Sequence, residues 1–465
     1  MARQRRRRRG LARAFYSDPT QFEETGEQVA IHETGVARIL ELTMRIGEQL
    51  LAVGASAHEA TVAMVNVANT YGLDKVHVDV TFNSVTVSHH WPGERPMTMM
   101  RVVKNLTPDH AKFQRIQLLL ARIDAGMGLA EALAGIRGIR RTPFRYRSLV
   151  VALARAFVAV GVGITYDGSR TILALTFVAA LAASLTQAGL SRVGLPPFFR
   201  QVAGAFMITA VAVVVSALGA ADIEPFSNVR PAIIVSSGIV VMLAGLALVG
   251  AVKDAIDGFS ITAGGRILDL ILQTVGVVLG IYVGLEAGRL LGYSIPLPEE
   301  ALPHGSLAHI LVGSFLLAIA VAISNGGDGR LVLISGLVSV SAAAGYNVGI
   351  AFDLSVVAAS AAGATIGALA GTLISRISFV PSVAVTTAAI IPLVPGAMVF
   401  RGLLEVATSD TVDSTMVGID LLAHAVMIAI ALAVGATLGS LIGAPGRRRM
   451  RGVAVDPPPF SGASG

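Results

Sequence analysis

The sequence predicts an α-helical polytopic membrane protein. It reads as ten transmembrane helices in two inverted five-helix repeats, preceded by a cytoplasmic α/β domain. Three observations point there. The 465-residue chain is 54% hydrophobic and only 14% charged, where a soluble domain carries about a quarter charged residues. Its mean hydropathy is +0.70. The charge is concentrated in residues 1–147, and residues 148–444 are nearly all apolar. Two solvents, water and lipid, are implied for two regions.

The first region begins with a basic run, Arg3, Arg5 to Arg9 and Arg13. No apolar stretch follows it, so it does not read as a secretory signal. Residues 1–33 are expected to be a disordered basic tail that touches anionic membrane lipid. Residues 34–147 read as one small α/β domain. Ile39, Leu42, Ile46 and Leu50 recur at helical spacing, and Gly54 can end that helix. Ser56 can cap a second helix running to Tyr71. Val76, Val78, Val80 and Phe82 alternate as a strand does, Asn83-Ser84 is a turn, Val85 and Val87 continue a partner, and Met97 to Val103 supply a third strand. Helices return at 109–125 and 129–138.

From Ser148 the pattern becomes that of bilayer-spanning helices, which need about 20 mostly apolar residues. The spans expected are 148–165, 171–189, 201–220, 231–250, 267–288, 306–324, 331–346, 354–375, 378–400 and 418–443. Basic residues in short loops set orientation. Arg137, Arg140, Arg141, Arg145 and Arg147 precede the first span and place the N-terminal domain in the cytoplasm. Arg447 to Arg449 and Arg451 follow the last span. An even number of crossings therefore returns the C-terminus to the cytoplasm. The C-terminal tail, 445–465, is Pro/Gly/Ser-rich and reads as disordered. Localisation in a bacterial cytoplasmic membrane follows from the resemblance described below.

An internal repeat runs through the membrane region. Pro231 and the Ser236-Ser237 pair match Pro381 and Thr386-Thr387, 150 residues later. After one added residue, Gly245 matches Gly396, Asp254 matches Glu405, and Asp269 and Gln273 match Asp420 and His424. Gly284 and Gly288 match Gly435 and Gly439. The repeats are 148–300 and 301–444. Five spans per repeat invert the second copy, a plan that places substrate near the midplane at the repeat interface.

The fourth span of each repeat is the candidate substrate site. Pro392 and Pro395 each lack an N–H and break the helical ladder, beside Gly396. Carbonyls freed in the bilayer need a partner. Thr386, Thr387, Ser236 and Ser237 supply hydroxyls nearby. The plain alternative is a packed kink with hydroxyls bonded to their own helix. Asp420 and His424 lie four apart on one helix face and could exchange a proton. Asp269, Glu405 and Asp254 complete the candidate coupling set. Arg155 is a charge inside the first span, either functional or snorkelling to the interface. Asn347 reads as external loop. Gly363, Gly367 and Gly371 read as helix packing.

Other chemistry is poorly supported. There is no Cys, hence no disulfide and no thiolate metal site. His58, Glu59, His77, His89 and His90 show no metal-ligand spacing. No Walker A sequence is present. No cofactor, metal or nucleic-acid partner is implied, and the chain does not read as an enzyme. The sequence leaves a homo-oligomer open.

The chain resembles the threonine/serine exporter family over about residues 35–444. The resemblance rests on the Gly54-Ala55-Ser56 turn of the α/β domain, the basic segment from Gly138 to Pro143, the two five-span halves, and the motif from Pro392 to Gly396. The family typically has a related Pro-Gly motif in the first half. Here that segment reads Ala244-Gly245 and lacks the proline, so an unequal contribution of the two halves is expected. The resemblance implies export of small amino acids, driven by proton motive force. Export of another small solute, such as a dicarboxylate, or a membrane-anchored enzyme or sensor acting through 34–147, are the alternatives.

Overall fold

The computed structural model describes residues 19–90, 96–103, 106–226, 229–242, 245–293, 305–378, 382–408 and 411–443. The N-terminal arginine run, Pro381 and the C-terminal tail lie outside them. The chain forms two compact units. One is 1–106 with 115–142, and the other is 107–114 with 143–465.

The first unit contains α1 (Pro19–Ala52), α2 (Ala57–Thr70), β1 (Val76–Thr81), β2 (Ser84–His89), β3 (Met97–Val102), most of α3 (His110–Asp124) and α4 (Leu129–Arg141). α1 begins well before the expected boundary at residue 34, so residues 19–33 are helical. Proline suits a first helical position because its fixed φ is pre-organised and its missing N–H would have no partner there. Ser56 caps α2 through the Glu59 amide, and Glu59 answers to the Ser56 amide, a complete capping box. The sheet order is β1-β2-β3, all antiparallel. Thr81 pairs with Ser84, so the first hairpin turns on Phe82-Asn83. Val80, Val85 and Val87 are buried, as are Leu40, Ile46 and Leu50 of α1 and Met64 of α2. The apolar periodicity of both element types thus converges on one core.

The second unit holds eight helices long and apolar enough to cross a membrane among the described residues. They are α5 (Ser148–Thr165), α6 (Arg170–Arg192), α7 (Pro197–Ala220), α10 (Ser260–Leu290), α11 (Leu307–Ser324), α12 (Gly329–Ala351), α13 (Val356–Ser378) and α16 (Val412–Gly443). One expected span is instead broken, into α14 (Ser382–Ile390), a 3-10 turn at Ile391–Leu393, and α15 (Gly396–Thr408). The span expected at 231–250 is described as α8 (Pro231–Met242) and α9 (Gly245–Ile256), with residues 243 and 244 outside the described residues. Asn347 lies within α12, not in a loop, and its Nδ2 donates to the Ala343 carbonyl.

The two halves share one element order. α5, α6 and α7 begin at 148, 170 and 197, and α11, α12 and α13 at 307, 329 and 356, a constant offset of 159. The third helix of each half packs on the last: α7 on α10, and α13 on α16. Glycine permits the approach in both. A Cβ on Gly284 would lie 2.6 Å from the Thr209 Cβ, and one on Gly435 would lie 2.4 Å from the Ala361 carbonyl oxygen. The first helices, α5 and α11, pack on each other and run antiparallel. The Thr165 carbonyl at the end of α5 accepts from the Gly305 amide ahead of α11. Tyr146, ahead of α5, donates its hydroxyl to the Gly327 carbonyl after α11, at 2.7 Å.

Candidate functional site

α9 lies against the break between α14 and α15. Val249 of α9 shares an apolar cluster with Ile390 at the end of α14 and with Ile428 and Leu432 of α16; Leu393, Val394 and Met398 pack on it. A small apolar cavity opens at this junction. Leu248 of α9, Leu270 and Thr274 of α10, Val394 and Pro395 of the break after α14, and Gly396 and Val399 of α15 line it. Pro395 and Gly396 are buried, and Pro392 sits in the 3-10 turn. Proline at 392 and 395 removes two amide donors here, which ends α14 and leaves an irregular segment before α15.

In the first half, the carbonyl of Met242, the last described residue of α8, accepts from Gln201 Nε2 of α7 at 3.2 Å. Gln201 is the centre of a side-chain chain through the unit. Its Oε1 accepts from Gln187 of α6 at 2.8 Å. Its Nε2 also reaches Gln273 Oε1 of α10 at 3.4 Å. Gln273 in turn donates to Asp269 at 3.3 Å. Gln187 and Gln201 were not singled out by the sequence. Two glutamines among apolar residues were the available signal.

The remaining candidates scatter around this centre. Asp254 of α9 is fully buried and ion-paired to Arg266 of α10, with Oδ2 2.7 Å from Nη1. Its repeat counterpart Glu405 is half-buried on α15. Ser237 of α8 is fully buried and its Oγ has no hydrogen-bond partner. Ser236, Thr386 and Thr387 are half-buried, and none of the four hydroxyl residues lines the cavity. The Thr386 methyl faces Gly371 of α13. Asp420 and His424 do meet, at 3.3 Å, but both are exposed on α16. Asp328, in the turn before α12, caps that helix through the Leu331 amide. Among the described residues no group of three metal-ligating side chains occurs.

A family model for threonine/serine exporters matches residues 41–288, more than half of the chain. A second, described as "Threonine/Serine exporter, ThrE", matches 310–442. The chain belongs to the threonine/serine exporter family. The match falls on both halves of the membrane unit, in keeping with the eight long apolar helices of a multi-pass membrane protein. A relative from Corynebacterium glutamicum named "Threonine/serine exporter" is 31% identical over 422 residues, covering 90% of this chain and 84% of the relative. One from Mycobacterium tuberculosis, "Probable threonine/serine exporter", is 30% identical over 427 residues, covering 89% and 78%. No solved structure matches.

Proposed function

We propose that this protein exports small amino acids of the threonine/serine type across a bacterial cytoplasmic membrane. The relatives carry that function in their names. The observation in this chain that carries the mechanism is the packing of α9, from the first half, against the broken helix of the second half. Irregular backbone at membrane depth is tolerated where it lines a passage, and broken helices at a repeat interface are the common substrate site of secondary transporters. The antiparallel run of α5 and α11 supports inversion of one half relative to the other. With α8–α9 and α14–α15 each counted as one crossing, the chain crosses ten times. Both termini, and the domain of residues 34–147, then lie in the cytoplasm.

In this reading substrate passes between Leu248 of α9 on one side and Pro392 to Gly396 on the other. Ser236, Ser237, Thr386 and Thr387 lie on the two outer half-helices that rock against it. The apolar cavity is the closed waist of the passage. Proton motive force drives the cycle through carboxylates at helix breaks and ends: Asp254, Glu405 and Asp269, with Asp420 and His424 at the outer surface. No resident cofactor takes part.

Counterflow in proteoliposomes tests the reading. Labelled threonine and serine are expected to exchange, and unlabelled dicarboxylates to leave that exchange unaffected. Threonine and serine that neither exchange nor compete would sink it. Thr386→Ala and Thr387→Ala are expected to slow exchange in protein that remains folded.

A further inference from the structure

Gln201 uses both of its amide donors and its carbonyl, and each bond goes to a different helix. The two N–H groups donate to the Met242 carbonyl of α8 at 3.2 Å and to Gln273 Oε1 of α10 at 3.4 Å. Its Oε1 accepts from Gln187 Nε2 of α6 at 2.8 Å. Gly204, three residues further along α7, leaves the slot for this. A Cβ there would lie 2.8 Å from Gln187 Nε2 and would meet the Met242 methyl. Polar side chains that bond across helices tie membrane segments together. Leu270 and Thr274, on either side of Gln273 in α10, line the cavity at the junction. The amides therefore set the position of one wall of the passage.

The second half repeats the slot without the amides. At the offset of 159, Gly204 becomes Gly363, Gln187 becomes Tyr346 and Gln201 becomes Ser360. At the offset of 151 that pairs Gly245 with Gly396, Met242 becomes Leu393. The glycine faces the matching two partners. A Cβ on Gly363 would lie 3.1 Å from the Tyr346 Cβ and 2.9 Å from Leu393 Cδ1. Ser360, however, stays on its own helix and donates to the Val356 carbonyl at 2.7 Å. His424, the counterpart of Gln273, likewise turns back to Asp420. Leu393 belongs to the 3-10 turn of the helix break. Hydrogen bonds in the first slot are thus replaced by apolar contact beside interrupted backbone in the second.

From this difference we infer that Gln201 is a positioning residue: it fastens α6, α7, α8 and α10 into one body, against which the break between α14 and α15 moves. This role presupposes the exporter reading above. The first half rocks as a unit and keeps its wall of the passage in place for substrate, while the 3-10 turn supplies the motion. Apparent affinity then depends on Gln201, and turnover depends on freedom at Leu393.

The test uses the full chain in proteoliposomes. Gln201→Leu is expected to raise the KM for threonine exchange about fivefold. Its maximal rate per folded protein is expected to stay within about twofold of wild type. Gln201→Asn, which carries the amide on a shorter stem, is expected to fall between. A lower yield of folded protein with unchanged KM would mean a role in stability alone, and overturns the assignment. The chain has no Cys, so a pair of thiols can be placed in each slot. A short, reducible bis-thiosulfonate linker across Gly204→Cys/Met242→Cys is expected to leave exchange intact. The same linker across Gly363→Cys/Leu393→Cys is expected to stop exchange, and reductant to restore it. Equal effects of the linker at both pairs overturn the fixed wall alone. Where a thiol pair does not fold, the KM of the Gln201 variants decides. Absence of any threonine or serine exchange by wild type overturns the exporter reading and the role of Gln201 with it.

Discussion

Asp254 and Arg266 form an ion pair across α9 and α10, 2.7 Å between Oδ2 and Nη1, with the carboxylate fully buried. Such a pair is weak evidence of stability in itself, because both charges lose water. Breaking it from one side is another matter. Arg266→Gln leaves a buried charge without its counter-charge, at about 3–5 kcal/mol. The expected result is a large fall in thermal stability in detergent, with Asp254→Asn/Arg266→Gln recovering much of it. A single variant as stable as wild type would show that the pair is solvated.

Close helix packing makes a second prediction. A Cβ on Gly280 would lie 2.3 Å from the Val202 carbonyl oxygen, and one on Gly439 would lie 2.3 Å from the Thr365 carbonyl oxygen. Backbone cannot yield as a flexible side chain can. Gly280→Val and Gly439→Val are expected to lower the yield of folded protein on size-exclusion chromatography severely. Gly264→Ala, where nothing lies within 4 Å, is expected to be near neutral.

The capping box supplies a third. Ser56→Ala removes the side-chain acceptor of the Glu59 amide, and loss of such a cap costs about 1 kcal/mol. Hydrogen exchange in the first turn of α2 is expected to speed up several-fold, with the membrane helices unaffected.

Legibility in the sequence followed locality. Ser56 and Glu59 are three apart, and Asp420 and His424 four apart, so each contact could be read from spacing, and each is made. Pro392 and Pro395 announced the break between α14 and α15 because proline acts on its own helix. The contact of Gln201 with the Met242 carbonyl, 41 residues away, carries no such local mark. Likewise Asp254 was picked out by the repeat, but its partner Arg266 was not, since pairing across two helices has no signature in spacing. The hydroxyls of Thr386 and Thr387 matched those of Ser236 and Ser237 in register, yet register does not say which side of a helix meets the cavity. The start of α1 was placed late because polar composition in 19–33 was read as disorder, although Glu and Gln are good helix formers.

The last prediction concerns the turn after α11. His110, at the start of α3, donates its amide to the Asn325 carbonyl at 2.8 Å. Asp109 and the Phe144 ring close on Gly326, whose φ of +79° favours glycine. Burial removes water from the His110 imidazole and pushes its pKa down to about 4 from 6.5. The folded state thus favours the neutral ring. Its contribution is complete above pH 6.5, shrinks as pH falls through the window from 6.5 to about 4, and is lost below it. At 1.36 kcal/mol per pKa unit the full effect is about 3 kcal/mol. Hydrogen exchange at residues 324–328 is therefore expected to accelerate between pH 7 and pH 5 in wild type, beyond the intrinsic pH dependence of exchange. His110→Gln, which cannot titrate, is expected to flatten that difference. Equal pH dependence in both proteins would mean that another group governs the turn.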